Sequence, residues 1–297
     1  MPHEVSPQAE ELLDVETSVL DKGFVRLVDY MGGDARIVQS ARVSYGEGTK
    51  TVREDKGLIN YLMSHLHTSP FEQVILTFHC KMPIFVARQW IRHRTARLNE
   101  ISGRYSVMKD EFYVPHPDQI LKQSETNRQG RDEEELPIEL RQRVADLILS
   151  DQSALYSNYE QMLDDEIARE LARINLPLSL YTEWYWQIDL HNLFHFIRLR
   201  ADAHAQWEIQ EYARALAQCA QAVAPLAYGA FEEFQMHAAR FSRSELAALR
   251  EMLGGGECTL PKGRNRREFF EKLGVHDPGK PAKGPTGQAS EKIPAGG

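Results

Sequence analysis

An alternating pattern of apolar and polar residues runs through Gln73-Val-Ile-Leu-Thr-Phe-His-Cys-Lys81, and a second one runs through Gly23-Phe-Val-Arg-Leu-Val-Asp-Tyr30. Period-two alternation is typical of strands that bury one face. In the second half of the chain, apolar residues recur at three- and four-residue spacings instead. This spacing predicts long helices over 138–164, 166–174, 190–203 and 206–223. The chain therefore mixes strands with helices, and helices dominate its second half.

Shorter elements are expected around the strands. A helical pattern covers 55–65, and another runs from Pro83, placed as the first helical residue, to about Arg94. Residues 123–137 contain almost no apolar side chains, which predicts a mobile surface loop.

The C-terminal part has a different composition. Two capping-box patterns predict short helices that stop at Gly254 and Gly274, one starting at Ser242 with Glu245 and the other at Asn265 with Glu268. Beyond Val275 the chain is rich in Pro, Gly, Lys and Ala, a composition that does not bury enough surface to fold. We therefore divide the chain into a main domain (1–240), a short helical extension (241–275) and a disordered tail (276–297).

Bulk composition excludes several classes of protein. The 297 residues carry a net charge of −8, which argues against broad nucleic-acid binding. No apolar run approaches the ~20 residues of a membrane helix, so a soluble, cytoplasmic protein is expected. Cys80, Cys219 and Cys258 form no CxxC pair, and neither a disulfide framework nor a zinc site is predicted.

The basic window Arg92-His-Arg-Thr-Ala-Arg-Leu-Asn-Glu-Ile-Ser-Gly-Arg-Tyr105 is the strongest indication of function. A helix dipole favours basic residues at a helix C-terminus by ~0.3–1 kcal/mol each, which accounts for one or two arginines but not for this number. Arg88 adds to the same field, and Glu100 alone offsets it. A bound polyanion would relieve the repulsion, and arginine grips phosphate through its planar fork. A phosphate site is favoured, and a network of ion pairs between proteins stays open.

Neighbouring residues suggest a nucleotide as the ligand. Asn99 and Glu100 offer the donors and acceptors that read the edge of a heterocycle, and Ser102-Gly103 lets backbone amides approach an oxyanion. The chain lacks the Gly-rich dinucleotide fingerprint and the Walker A pattern. A dinucleotide would therefore be held by side chains.

The window resembles the RHRxxSxNExSxR signature of the flavin-dependent thymidylate synthases, with Arg97 in place of the first serine. The resemblance covers roughly 22–236 and includes, in the family's order, these further stretches: Ala41-Arg-Val-Ser-Tyr45, His67-Thr-Ser-Pro-Phe-Glu72, Ala87-Arg-Gln-Trp90, Ala172-Arg-Ile-Asn-Leu-Pro177 and Leu199-Arg-Ala-Asp-Ala-His-Ala-Gln-Trp-Glu208. It implies an α+β fold with a twisted, mostly antiparallel sheet packed with long helices. It also implies a homotetramer with active sites at subunit interfaces.

The activity implied by the resemblance is reductive methylation of deoxyuridine monophosphate (dUMP) to thymidylate (dTMP). Methylenetetrahydrofolate would donate the carbon, FAD would carry the electrons, and NADPH would be the reductant. Carried over by position, the catalytic residues would be Arg200, Ser102 and His67. The FAD contacts would be Ser44, Ser69, Glu72, Arg92, His93, Arg94, Asn99, Glu100, Asp189, His191, His195 and His204. The nucleotide would be lined by Gln89, Arg92, Glu100, Ile101, Ser102, Gly103, Arg104, Arg173, Leu199 and Arg200.

The chemistry agrees with the resemblance. Uracil C5 is a poor nucleophile until the ring gains electron density, by thiolate attack at C6 or by loss of the N3 proton beside a positive charge. No cysteine lies in or next to the basic window, whereas Arg200 is available to stabilise an ionised ring. The His191/His195 pair has no third ligand, so no metal site is predicted.

Two other functions remain open from the sequence. One is a nucleotide-binding protein that keeps the pocket but has lost catalysis. The other is a single-strand nucleic-acid binder that uses the arginines with Tyr105, Phe112 and Tyr113. The presence of Ser102 and Arg200 argues against the first, and the net acidity argues against the second.

Overall fold

A computed structural model describes residues 5–43, 52–124, 130–132 and 134–278. Within these ranges, one five-stranded sheet has the order β1-β2-β3-β5-β4, and every neighbouring pair is antiparallel. The strands are β1 (Glu16–Val19), β2 (Gly23–Met31), β3 (Ile75–Pro83), β4 (Arg97–Glu100) and β5 (Tyr181–Asp189). The predicted α+β class with an antiparallel sheet is confirmed.

Helices precede, separate and follow the strands in sequence, and they make up most of the described chain after β5. They are α1 (Pro7–Glu10), α2 (Asp34–Ala41), α3 (Val52–Ser64), α4 (Ile84–Trp90), α5 (Ile138–Asp164), α6 (Arg169–Ala172), α7 (Leu190–Arg200), α8 (Trp207–Val223), α9 (Pro225–Phe231), α10 (Arg243–Leu253) and α11 (Arg264–Leu273). In the part of the chain that the structure describes, no helix is both long and apolar enough to cross a bilayer. The cytoplasmic location stays a prediction.

The main core contains an aromatic cluster that packs on one face of the sheet. Trp90 of α4 is fully buried and meets the edges of Trp184 and Trp186 at centroid distances of 5.4 and 5.2 Å. Tyr212 of α8 reaches into the same cluster and donates a hydrogen bond to the backbone of β3. This donation requires a glycine at position 23, because a Cβ atom there would lie 2.0 Å from the Tyr212 hydroxyl oxygen. The core therefore fixes α4 and α8 against the sheet.

Several sequence-predicted boundaries are wrong. Pro83 ends β3 and caps α4 instead of beginning it, and α4 stops at Trp90 because the chain turns back to form β4. The helix expected over 166–174 is reduced to α6 and a 3-10 turn at Arg173–Asn175, since Glu166 adopts a positive φ of 60°.

The loop at 123–137 is partly ordered by contacts. The Ser124 amide donates to the carbonyl oxygen of Gly130, and Arg131 pairs with the buried carboxylate of Glu208. Residues 125–129 and 133, where mobility of the loop is also predicted, lie outside the described residues.

The chain divides after Met236, and the second unit has a small core of its own around Phe269 and Phe270. Ser242 and Glu245 form the predicted capping box at the start of α10. The second predicted box is wrong, because α11 begins after Gly263 and receives no side-chain cap from Asn265. The expected tail begins later than residue 276, since Asp277 pairs with Arg266 at 2.8 Å; residues 279–297 lie outside the described ranges.

Candidate active site

The basic window lies in a turn and an edge strand next to the α7 helix. Residues 91–96 leave α4 and return to the sheet as β4, which pairs with β5 from Arg97↔Gln187 to Glu100↔Trp184. β5 continues directly into α7, whose last residue is Arg200. Two segments that are about a hundred residues apart in sequence are therefore neighbours in the fold.

Arg200 is held by two acceptors from the α4 region. Its Nε–H donates to His93 Nε2 at 3.0 Å, and one Nη2–H donates to the carbonyl oxygen of Gln89 at 3.1 Å. Burial and the nearby charge of Arg92 lower the pKa of Arg200, but an arginine stays protonated at neutral pH. A guanidinium has five N–H donors, so three remain for a ligand.

His93 is neutral in this arrangement. Burial, followed by the charges of Arg200 and His195, lowers the pKa of His93 to about 4. Its ring contacts Phe196 edge-on at a centroid distance of 4.7 Å and lies 5.6 Å from the ring of His195. His195 also has a lowered pKa, mainly because neighbouring side chains partly shield its ring from water. The positive charge of this cluster therefore comes from arginines and not from histidines.

Unpaired arginines distinguish this region. Among the described residues, none forms a hydrogen bond or an ion pair with the side chains of Arg88, Arg92, Arg94 and Arg97. All four are exposed, and all are contributed by α4, the turn and β4. Arg88 and Arg92 are four residues apart, and the charge of Arg92 also reaches Arg200, so these side chains repel each other and an anionic ligand would remove that repulsion. The predicted anion site agrees with this arrangement.

The edge strand β4 presents different residues on its two faces. Asn99 lies opposite Tyr185 in the register, on the face that also carries His79. Glu100 points to the other face, where Thr182 donates a hydrogen bond to its carboxylate at 2.7 Å. Adjacent residues of the window therefore serve opposite sides of the sheet.

A second group of site residues surrounds Gly103. Gly103 is buried, and a Cβ atom there would lie 2.8 Å from Met108 Sδ and 3.0 Å from Arg173 Cδ. The Arg173 stem thus lies directly over the backbone, and its guanidinium has no partner among the described residues. Arg104 Nε donates to Glu170 at 3.1 Å, across an exposed ion pair. Ser102 Oγ accepts the Arg104 backbone N–H, and Ile101 is exposed beside it.

Residues with proposed flavin roles also lie at the end of α3. The ring of His67 is stacked 6.0 Å from the ring of Tyr61, and Ser69 and Glu72 follow it as exposed side chains. In the described part of the chain, none of these residues shares a hydrogen bond, ion pair or ring contact with the Arg200 cluster. Ser44 lies outside the described residues.

The remaining candidates lie on or after α7. Asp189 is the helix N-cap: its carboxylate accepts from the backbone N–H and the side-chain amide of Asn192, at 2.9 and 2.7 Å. His191 is half-buried, whereas His195 and Leu199 are exposed. His204 pairs with Asp202 at 2.8 Å and does not reach Arg200. The structure thus gives Asp189 and His204 partners within the chain, and their contacts to a flavin stay predictions.

Sequence reasoning missed three partners of the site residues. Glu170 pairs with Arg104, Thr182 holds Glu100, and the Gln206 side chain accepts from the Gln89 amide at 2.5 Å. Each pair is separated by more than sixty residues, so no local pattern indicates it. Among the described residues, no group of three or more His, Cys, Asp or Glu side chains forms a metal site.

Comparisons with known proteins agree with the geometry. The family model described as thymidylate synthase complementing protein matches residues 26–226, and the model for the thymidylate synthase ThyX C-terminal domain matches 239–278. The chain is 61% identical over 261 residues to a flavin-dependent thymidylate synthase of Treponema denticola, which covers 88% of this chain and 98% of that protein. It is 55% identical to the protein of the same name from Treponema pallidum, over 91% of this chain and 88% of that one.

A solved structure supports the same relationship. The UMP/dUMP methylase PolB of Streptomyces cacaoi, bound with 5-Br dUMP, superposes with a TM-score of 0.67 at 31% identity. The superposition covers 74% of this chain and 99% of that one.

Proposed function

The chain belongs to the flavin-dependent thymidylate synthases, and from this premise we propose that its unpaired arginines bind FAD and dUMP. The protein catalyses the methylation of dUMP to dTMP and uses a flavin. The observation that carries the proposal is that the side chains of Arg88, Arg92, Arg94 and Arg97 have no anionic partner in the described chain.

The donor set fits a flavin dinucleotide. The exposed guanidinium groups of Arg92 and Arg94 match a pyrophosphate, and Asn99 offers an amide to a heterocycle. His67 and His93 would contribute flat rings beside the flavin. When bound, the flavin supplies the hydride that reduces the transferred methylene carbon to a methyl group, and NADPH restores it to the reduced form. Methylenetetrahydrofolate is the proposed carbon donor, and the reaction releases the C5 proton of the uracil ring.

The protein's own contribution to the chemistry is the activation of that ring. We assign Arg200 to the uracil, where its three remaining N–H donors stabilise the negative charge that develops when N3 loses its proton. A thiolate route is unsupported. Burial raises the pKa of Cys80, and it raises the pKa of Cys219 to about 12.

The second group binds the phosphate in this proposal. The Arg173 stem lies over Gly103, and Arg104 follows Gly103 in the chain, so a guanidinium fork and a backbone amide could hold a 5′-phosphate together here. Glu100 is fixed by Thr182 and provides an acceptor for the nucleotide. Replacing Arg104 with Ala is therefore expected to weaken the binding of dUMP much more than the binding of deoxyuridine.

We further propose a homotetramer with active sites at subunit interfaces. One set of site residues is Arg200 with His93 and Gln89, and the other is Arg104 with Gly103 and Arg173. Within the described residues, no hydrogen bond or ion pair joins the Arg200 group to the Arg104 group. One nucleotide would contact both groups if they came from different copies of the chain.

The function is tested with purified protein. The preparation is expected to be yellow, to release FAD on denaturation, and to oxidise NADPH faster when dUMP is added. Tritium release from dUMP labelled at C5 measures methylation directly. A folded protein that binds no FAD even after reconstitution contradicts the flavin assignment.

The interfacial site is tested by mixing two variants at a low dUMP concentration, at which each is nearly inactive alone. If each site takes Arg200 from one copy and Arg104 from another, tetramers reassembled from Arg200→Ala and Arg104→Ala chains contain some sites with both arginines. Activity then reappears on mixing. Continued inactivity of a mixture shown by mass spectrometry to contain both chains contradicts the proposal.

A further inference from the structure

The contact between His93 and Arg200 defines which ring nitrogen carries the proton. A guanidinium has only donors, so the 3.0 Å bond from Arg200 Nε requires a lone pair on His93 Nε2. A neutral imidazole with that lone pair carries its proton on Nδ1. The bond therefore exists in one protonation state and one tautomer of His93.

The ring of His93 is itself fixed by the core. It contacts the edge of Phe196, and Phe196 packs against Trp90 at 4.9 Å and against Trp186 at 5.4 Å. Phe196, Trp90 and Trp186 are all buried. A rigid aromatic cluster thus holds the ring that receives the Arg200 hydrogen bond, while the second acceptor of Arg200 is a backbone carbonyl.

The surroundings of His93 keep it neutral. From α7 it faces the charge of Arg200 and the ring of His195, and its own segment adds Arg92 and Arg94. Within the described residues, no carboxylate forms a hydrogen bond or ion pair with its ring. Burial, the charge of Arg200 and the neighbouring His195 all oppose protonation of His93.

We propose that His93 is a positioning residue for Arg200: its neutral ring fixes the plane of the guanidinium so that the three free N–H donors face the uracil. This inference rests on the proposed role of Arg200 in ring activation. It differs from the flavin contact that the family resemblance implies for His93, because the effect of His93 on turnover passes through Arg200. A guanidinium that is not held in position lowers the rate of the reaction, since a misplacement of about 1 Å lowers the rate by roughly 10²-fold.

The first test is a double-mutant cycle. His93→Phe keeps a ring against Phe196 but removes the acceptor, and it is compared with Arg200→Ala and with the double variant. The turnover number per bound flavin is measured by tritium release, and the flavin content is measured by absorbance. We expect His93→Phe to lower turnover per flavin by about 10- to 100-fold, and to have no further effect in the Arg200→Ala background.

The second test is rescue by an uncharged acceptor. The side-chain oxygen of Gln reaches the place of Nε2, whereas that of Asn reaches only the place of Nδ1. His93→Gln is expected to recover most of the turnover, and His93→Asn is not. This pair also decides the question if the phenylalanine variant does not fold.

A third measurement does not depend on activity. Nitrogen-15 spectra of histidine-labelled protein without dUMP are expected to show His93 protonated at Nδ1 in the unmodified chain, with this preference lost in Arg200→Ala. The proposal is overturned if the effects of His93→Phe and Arg200→Ala multiply. It is also overturned if His93→Phe lowers only the flavin content, or if His93 carries its proton on Nε2. If Arg200→Ala itself keeps full turnover, it is the proposed role of Arg200 that fails.

Discussion

The ion pair between Arg104 and Glu170 competes with the proposed phosphate of dUMP. Its atoms are 3.1 Å apart, and the two side chains are 59% and 54% exposed, so the pair contributes only about 0.2–1 kcal/mol. A phosphate that takes Arg104 must first break this pair. Glu170→Gln removes the competitor, and we expect it to tighten dUMP binding by up to about fivefold.

The opposite change has a larger effect of opposite sign. Arg104→Ala removes a charge-assisted contact worth about 1.5–3 kcal/mol, which corresponds to a loss of roughly 10- to 150-fold in dUMP affinity. Isothermal titration calorimetry measures the affinity of both variants for dUMP and for deoxyuridine, and neither substitution should change the affinity for deoxyuridine. The gain in Glu170→Gln should shrink as salt is raised.

A matched control removes a different exposed carboxylate. Asp164→Asn changes the net charge by the same amount at the end of α5, where the side chain has no partner among the described residues. The reasoning is refuted if Glu170→Gln weakens dUMP, if deoxyuridine gains as much as dUMP, or if Asp164→Asn reproduces the gain.

Three further predictions follow from other contacts. Arg200→Ala should lose at least about 10²-fold in turnover while it still binds FAD, and Arg200→Lys should keep part of the turnover. A chain with all three cysteines replaced should still turn over, and a folded but inactive cysteine-free chain contradicts this mechanism. Deleting 279–297 should leave assembly and turnover nearly unchanged. Asp277→Ala should lower the melting temperature of the second unit, because Arg266 loses a half-buried ion pair, and equal melting curves in calorimetry would contradict that effect. The Lys272 hydrogen bond and the Ser242 backbone N–H lower the pKa of Glu245 to about 2, so its stabilising contribution is complete above the unfolded pKa of about 4.3 and is lost as pH falls toward 2. Lys272→Ala should flatten that part of the pH–stability curve, and an unchanged slope would contradict this prediction.

The elements that follow from local periodicity were predictable from the sequence. Both central strands and helices α5, α7 and α8 appear where their apolar spacing places them, because burial of one face fixes their period. Boundaries were harder to predict. Asn265 looks like a cap in sequence, but Gly263 with φ 150° lets the helix start earlier.

The candidate site was predictable in its residues but not in its contacts. The arginines and the family resemblance identify the region, since both are local in sequence. The partner of Arg200 could not be found this way, because His93 lies 107 positions away and the two segments meet through the pairing of β4 with β5 and the packing of Trp90 against Phe196. Asp189 shows the same limit: its role as the cap of α7 depends on where the helix begins.

The edge position of β4 imposes a parity rule on the chain between Trp90 and Arg97. Side chains alternate between the faces of a strand, so Asn99 and Glu100 would exchange sides if inserting or deleting one residue in this connection made the ladder to β5 slip by one position. Two residues would leave both sides unchanged. A change in length in this connection is therefore expected to be tolerated in even steps and to abolish the site in odd ones, whatever residues are added.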